Sequence, residues 1–217
     1  MVVVLGIDEA GRGPVIGSLV MAGAVLDETE FNILKELDVK DSKLLTPEKR
    51  EAIAKELKKV VKYKLFIADV EEVDKAVDGM GDSLNLLEGR KIAKLIDHFK
   101  PDKAIIDCPS TNIAAFTETI RRMIKHKKTE LVLEHKADMN HIIVAAASVL
   151  AKVERDKRVK ALEKKYDVVI GSGYASDPIT QEFLKGHFES HAQLFRKSWQ
   201  TYKRIVESKL QRKLGDY

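Results

Sequence analysis

The chain has 217 residues, 44% of them hydrophobic and 33% charged, with 38 Lys and Arg against 34 Asp and Glu for a formal charge of +4. The hydrophobic share supports a buried core and excludes a disordered polyelectrolyte. A single cysteine, Cys108, excludes an internal disulfide framework and a multi-cysteine zinc site.

The charge is unevenly spread. Residues 149–217 hold 15 basic and 9 acidic side chains, whereas residues 1–148 hold 23 and 25, so the basicity is C-terminal. The longest apolar runs, 2–5 and 142–149, are far too short to span a bilayer, and no secretory signal is expected. These features read as a cytoplasmic protein with no membrane association.

The β-branched opening, residues 2–7, predicts a buried strand, which Asp8-Glu9-Ala10-Gly11-Arg12-Gly13-Pro14 then breaks with two glycines and a proline. Residues 15–26 predict an adjacent strand. Thr46 followed by Pro47 and Glu48 is a helix start, with the helix running to about Lys59 and a third strand over 60–68. Residues 83–99 are amphipathic and helical, with Leu84, Leu87, Ile92, Leu95 and Ile96 on one side. Strands over 103–107 and 130–134 bracket a helix over 114–125, and helical spacing continues over 140–165. A glycine loop at 171–174 and helices near 181–187 and 194–210 complete the chain. Such an order predicts an α/β domain with a mixed sheet and a helical C-terminal extension.

Three groups of acids fall beside strands. Asp8 and Glu9 close the first strand, Asp107 closes 103–107, and Asp138 lies between 130–134 and the long helix. Taken singly, an Asp after a strand is a common turn residue and one before a helix a common N-cap. Several carboxylates at one sheet edge, however, repel one another and call for a hard divalent cation. Two such ions about 4 Å apart activate a water and stabilise a leaving oxygen in phosphodiester cleavage. Pattern alone leaves the reaction open. Gly11-Arg12-Gly13 and Asp41-Ser42-Lys43 offer backbone amides, a hydroxyl and cations to phosphate or sugar, although each also reads as an ordinary polar loop. Cys108 has no clear His partner, so a thiol nucleophile is not expected. His135 and His141 flank Asp138 without making a zinc pattern.

Together these segments resemble one family. Gly6-Ile7-Asp8-Glu9-Ala10-Gly11-Arg12-Gly13-Pro14, Asp41-Ser42-Lys43, Ile106-Asp107, Lys136-Ala137-Asp138 and the run from Ala146 to Asp156 are similar to type 2 ribonuclease H (ribonuclease HII). The segment from Gly171 to Pro178 resembles its archaeal branch. The resemblance implies the ribonuclease H-like fold, a mixed β-sheet flanked by helices, with a catalytic domain over 1–178 and a helical extension over 179–217. It implies an endonuclease that hydrolyses the RNA strand of RNA–DNA hybrids and incises DNA on the 5′ side of embedded ribonucleotides, leaving 5′-phosphate and 3′-hydroxyl ends. Asp8, Glu9, Asp107 and Asp138 would be the catalytic, metal-binding acids for two Mg²⁺ or Mn²⁺ ions. Gly11, Arg12 and Gly13 would read the 2′-hydroxyl, Tyr174 would stack at the RNA–DNA junction, and Ser42 and Lys43 would contact substrate.

The tail from Leu194 holds seven basic and two acidic residues with Trp199 and Tyr202 among them, a solvated helix face or a track for duplex phosphates. Gln211, Leu214 and Tyr217 are similar to a sliding-clamp-binding peptide, without its second terminal aromatic. A monomer is expected. Another nuclease or strand transferase of the same fold would also cluster acids; the Gly-Arg-Gly loop and Tyr174 argue against it. A non-catalytic hybrid-binding module is the reading from a different class, and four intact acids disfavour it.

Overall fold

A computed structural model describes residues 1–39, 46–79 and 82–215. Five strands form one sheet: β1 (Val3–Ala10), β2 (Leu19–Asp27), β3 (Lys62–Ala68), β4 (Lys103–Asp107) and β5 (Glu130–Glu134), in the order β3-β2-β1-β4-β5. β1 pairs antiparallel with β2 and parallel with β4, and β4 pairs parallel with β5. The sheet is therefore mixed, in the ribonuclease H-like arrangement.

The helices are α1 (Phe31–Glu36), α2 (Pro47–Val60), α3 (Val70–Asp78), α4 (Leu84–Phe99), α5 (Ile113–Met123), α6 (Ala137–Asn140), α7 (Ile142–Tyr166), α8 (Pro178–His187) and α9 (Gln200–Gly215). Their starts follow local chemistry. Thr46 Oγ1 accepts from Lys49 N, Asn112 Oδ1 from Ala115 N, and Asp69 Oδ1 from Glu72 N.

Alternation along β1 separates two cores. Val4 and Ala10 face α2, α6 and α7, where they meet Leu57, Ala137 and Ile143. Leu5 and Ile7 face α4 and α5, among Ile92, Leu95, Phe116 and Ile120. A third core, built on Val15, Ile16, Val159, Ile170, Phe183, Leu194 and Phe195, belongs to the C-terminal part.

The chain folds as two compact units, neither continuous in sequence. The first is Met1–Ala10, Val20–Ile67 and Leu84–Glu154; the second is Gly11–Leu19, Ala68–Ser83 and Arg155–Tyr217. Among the described residues no helix is long and apolar enough to cross a membrane.

Several boundaries differ from the pattern-based reading. β1 runs on through Asp8 and Glu9, because Asp8, Glu9 and Ala10 keep their antiparallel partners Ala22, Met21 and Val20. The chain turns at Gly11, whose φ is 85°. The strand expected over 15–26 begins only at Leu19, since Gly17 takes φ 86° and residues 15–17 pair instead with 194–196. The helix expected over 140–165 is the single α7, starting at Ile142, and extended His141 parts it from the short α6 that ends at Asn140. The tail helix starts at Gln200, and α3 is an additional element, marked by Asp69 at its start and by Val73 and Ala76 buried at helical spacing.

Candidate active site

The first unit places its acids by register. Ile7 pairs with Ile106 in parallel, which brings Asp8 level with Asp107, and Asp107 pairs in turn with Glu134. Asp8, Asp107 and Glu134 thus occupy neighbouring strands at the carboxyl end of the parallel set, where open α/β sheets bind their ligands.

Gly6 sets the depth of this edge. A Cβ there would lie 2.4 Å from the carbonyl carbon and oxygen of Ile143 and 2.7 Å from Val144 N, so only glycine admits the start of α7 against β1. From that contact α7 and β1 run in the same direction. Five helical residues advance about 7.5 Å and two strand residues about 6.7 Å, which carries Ser148 to Asp8. The Ser148 hydroxyl hydrogen-bonds the Asp8 carboxyl, and Lys152 Nζ donates to Ser148 Oγ at 2.7 Å.

Asp8 is buried. Burial pushes its carboxyl up to about 7, and the neighbouring charge of Asp107 pushes the same way; the Ser148 hydrogen bond, the Glu9 backbone N–H at 2.7 Å and Lys152 pull it down. Asp107 is not a turn residue. Its Oδ1 accepts from Ala137 N at 2.9 Å and so caps α6 across the sheet edge. Asp138, for which an N-cap is the ordinary alternative to a metal ligand, is a buried residue inside the first turn of α6, behind a left-handed Lys136.

Glu9 follows Asp8 in the pleat and so faces the α4 side, where its charge reaches Cys108. Burial raises the Cys108 thiol above its ordinary value, as an inert structural cysteine requires. Glu134, which sequence reasoning did not single out, accepts from Asn140 Nδ2 at 2.9 Å and pairs with His141 Nε2. The Asn140 and His141 hydrogen bonds hold its carboxyl below the ordinary range. His135 Nδ1 contacts the Cys108 carbonyl at 3.1 Å.

The donors available are oxygens, and the buried Asp8 carboxyl stands beside the like charge of Asp107. A hard divalent cation relieves that repulsion. Among the described residues no group of three or more His, Cys, Asp and Glu stands ready as a complete cage.

The second unit holds the other predicted residues. Gly13 lies beside Tyr174: a Cβ on Gly13 would stand 3.6 Å from Tyr174 Cε1. The Arg155 guanidinium sits 5.3 Å from the Tyr174 ring centroid and donates to the Ser172 carbonyl. Tyr174 itself is 40% exposed, so its ring is presented rather than stored in the core. Gly173, at φ 79°, accepts from Val15 N at 2.9 Å and Ile16 N at 3.3 Å, which ties the two glycine loops together. Arg196 and Trp199 were read only as tail residues, yet both bind this loop; nothing local in the sequence signals it. Ser42, Lys43 and Tyr217 lie outside the described residues, as does the side chain of Leu214. Gln211 is exposed on α9.

Residues 5–202 match the family model described as Ribonuclease HII. Ribonuclease HII of Methanocella arvoryzae is 39% identical over 217 residues, covering 99% of this chain and 96% of its own. The crystal structure of the ribonuclease H2 from Pyrococcus horikoshii is similar with a TM-score of 0.85 at 37% identity, over 95% of this chain and 98% of that one. The PCNA:RNase HII complex from Archaeoglobus fulgidus gives a TM-score of 0.82 at 35% identity, over 92% and 96% respectively. With the family model matched over residues 5–202 and these relatives similar in sequence and structure over nearly its whole length, the chain belongs to the archaeal branch of the ribonuclease HII family, endoribonucleases that cleave the RNA strand of RNA–DNA hybrids.

Proposed function

We propose that this enzyme, besides cutting long hybrids, incises duplex DNA on the 5′ side of an embedded ribonucleotide and leaves 5′-phosphate and 3′-hydroxyl ends. The observation that carries the reading is the buried Asp8, level with Asp107 and driven up to about 7. Asp8, Glu9, Asp107 and Asp138 would hold two divalent ions, Mg²⁺ or Mn²⁺. Such ions supply an acidified water and neutralise charge on the attacked phosphate and the departing oxygen.

The chain's own residues do the rest. Ser148 and Lys152 orient Asp8 as an acceptor, and the Ala137 N–H fixes Asp107. In the second unit the amides of residues 11–13 read the 2′-hydroxyl, the one group that distinguishes ribose from deoxyribose. Tyr174 stacks on the deoxyribose beyond the junction, and Arg12, Ser42 and Lys43 contact the sugar-phosphate chain. No covalent enzyme intermediate is involved. Residues 1–178 form the catalytic part of this monomeric enzyme and 179–217 a helical extension.

A duplex carrying one ribonucleotide, incubated with Mg²⁺, with Mn²⁺ and with chelator, tests substrate, position and metal together. Cleavage in chelator, or cuts away from the ribonucleotide, would refute the reading. Tyr174→Ala is expected to lower single-ribonucleotide incision more than cleavage of a long hybrid; equal losses would remove the junction role.

The Archaeoglobus structure pairs its ribonuclease HII with PCNA. By that likeness, and by the spacing of Gln211, Leu214 and Tyr217, the tail of this chain binds a sliding clamp. Deleting residues 211–217 is expected to abolish clamp binding in a pull-down while sparing cleavage of short duplexes.

A further inference from the structure

Among the fully buried side chains of this molecule, one of the largest is charged: Arg196. Its guanidinium is filled by backbone carbonyls of the glycine loop. Nε donates to the Gly17 carbonyl at 3.0 Å and Nη2 to the same oxygen at 2.8 Å. Nη2 also donates to the Gly11 carbonyl at 2.5 Å, and Nη1 to the Arg12 carbonyl at 2.8 Å. Trp199 extends the pattern by one residue, since its Nε1–H donates to the Gly13 carbonyl at 3.0 Å while its ring lies 4.8 Å from the guanidinium carbon. The segment is pinned in turn. Arg196 N donates to the Val15 carbonyl at 2.8 Å, and Lys197 N and Ser198 N donate to the Asp74 carboxylate at 2.8 and 3.1 Å.

Peptide planarity gives this arrangement a consequence. In a trans peptide the C=O of one residue and the N–H of the next point in opposite directions. With the Gly11 and Arg12 carbonyls turned onto Arg196, the N–H groups of Arg12 and Gly13 are turned away from it. Free glycines would sample many orientations. Here three successive carbonyls are fixed by two side chains more than 180 residues away in the chain. A planar five-donor fork can hold several carbonyls at fixed angles, whereas a lysine ammonium on a flexible stem cannot.

We propose that Arg196, seconded by Trp199, is the positioning residue for ribose recognition: it sets the Gly11–Arg12 and Arg12–Gly13 peptide planes so that the N–H groups of Arg12 and Gly13 stand ready for the 2′-hydroxyl, while Trp199 anchors the loop at the Gly13 carbonyl, whose plane ends on Pro14 and carries no N–H. This rests on the reading of that loop as the ribose reader. Arg196 does not touch the substrate; its contribution is to remove the ordering cost the loop would otherwise bear on binding.

The test measures affinity for a short DNA duplex with one embedded ribonucleotide and for the same duplex in all-deoxy form, with Ca²⁺ in place of Mg²⁺ to block cleavage. The ratio of the two affinities cancels any loss of folded protein. Two amide hydrogen bonds correspond to a preference of about tenfold in the parent enzyme. Arg196→Lys is expected to bring the ratio to about twofold or less while leaving affinity for the all-deoxy duplex unchanged, because phosphate contacts dominate that term. Trp199→Phe keeps the stacked ring and loses only the donor to Gly13. It is expected to lower the ratio by about threefold, and it carries the test if Arg196→Lys fails to fold. A parent that discriminates beside a folded Arg196→Lys protein that discriminates equally overturns the positioning role and leaves the ribose reading intact. A parent with no preference overturns the ribose reading itself.

Discussion

In the first unit the buried Asp8 carboxyl lies beside the like charge of Asp107; in the second, the buried Arg196 guanidinium is filled with carbonyl partners. Asp8 and Asp107 sit level on neighbouring strands, and burial, with the charge of Asp107 beside it, makes Asp8 hold its proton up to about 7. Arg196 puts similar burial to the opposite use, since its Nε, Nη1 and Nη2 each donate to a backbone carbonyl. The contrast teaches a division of labour. A region that has to accept an ion is left electrostatically unsatisfied, and one that has to read a small chemical difference is locked before the ligand arrives.

Asp8→Asn is the strongest test of the first half of that contrast. It removes a charged oxygen ligand and is expected to cut metal-dependent cleavage by about three decades or more. The same substitution should stabilise the metal-free protein, because a neutral amide no longer has to be held against Asp107. Loss of activity with no gain in stability would mean that the acid edge is not strained.

The pH dependence sharpens the point. Between the unfolded carboxyl value near 4 and the folded value near 7, the folded chain binds the Asp8 proton and the unfolded chain does not. This contribution to stability is therefore fully present below about pH 4 and is lost as pH rises through about 7. In chelator, the unfolding free energy measured against pH should fall for the parent relative to Asp8→Asn, by on the order of 4 kcal/mol across that range. Comparing the two proteins cancels the depressed carboxyls of Asp27, Glu134 and Asp177, whose contributions run the other way. A flat difference would mean that burial and the Asp107 charge do not hold the proton on Asp8.

Gly6→Ala tests what holds the edge in place. The added methyl meets backbone, not a flexible side-chain end, so β1 and α7 have to part. The expected cost is about 3 kcal/mol, or roughly 6–12 °C in melting temperature. A variant as stable as the parent would show that the close approach of Ile143 does not set the edge.

How much of this is legible in the sequence follows the same division. The strands 103–107 and 130–134 are found to the residue, because short β-branched runs bounded by turn formers leave little choice. Acids at their ends then mark the edge. That Asp8 and Glu9 face opposite sides of the sheet is also implicit in the two-residue pleat once β1 is known to run through Ala10. The locking of the second unit is not legible. Arg196 looks like one of seven basic residues in a tail, and its partners Gly11 and Arg12 stand at the other end of the chain. Periodicity reports local structure and burial of apolar faces. It carries no information on which polar group a buried guanidinium will find across such a separation.

Thr180→Val probes the second unit with the smallest perturbation. The Thr180 side chain is fully buried, and its hydroxyl donates to the Ile170 carbonyl at 2.8 Å while accepting from Gly173 N–H at 2.9 Å. Gly173 in turn supports Val15 and Ile16 and precedes Tyr174. Valine matches threonine in shape, so packing is preserved and only this pair of hydrogen bonds is removed. Leaving two buried backbone groups unsatisfied costs about 2 kcal/mol, which lowers the melting temperature by roughly 4–8 °C. Because the acids are untouched, the stabilisation gained on adding Mg²⁺ should equal that of the parent, whereas discrimination between ribose- and deoxyribose-containing duplexes should weaken. If instead the Mg²⁺ response fell and discrimination held, the separation of ion binding from ribose reading between the two units would be lost.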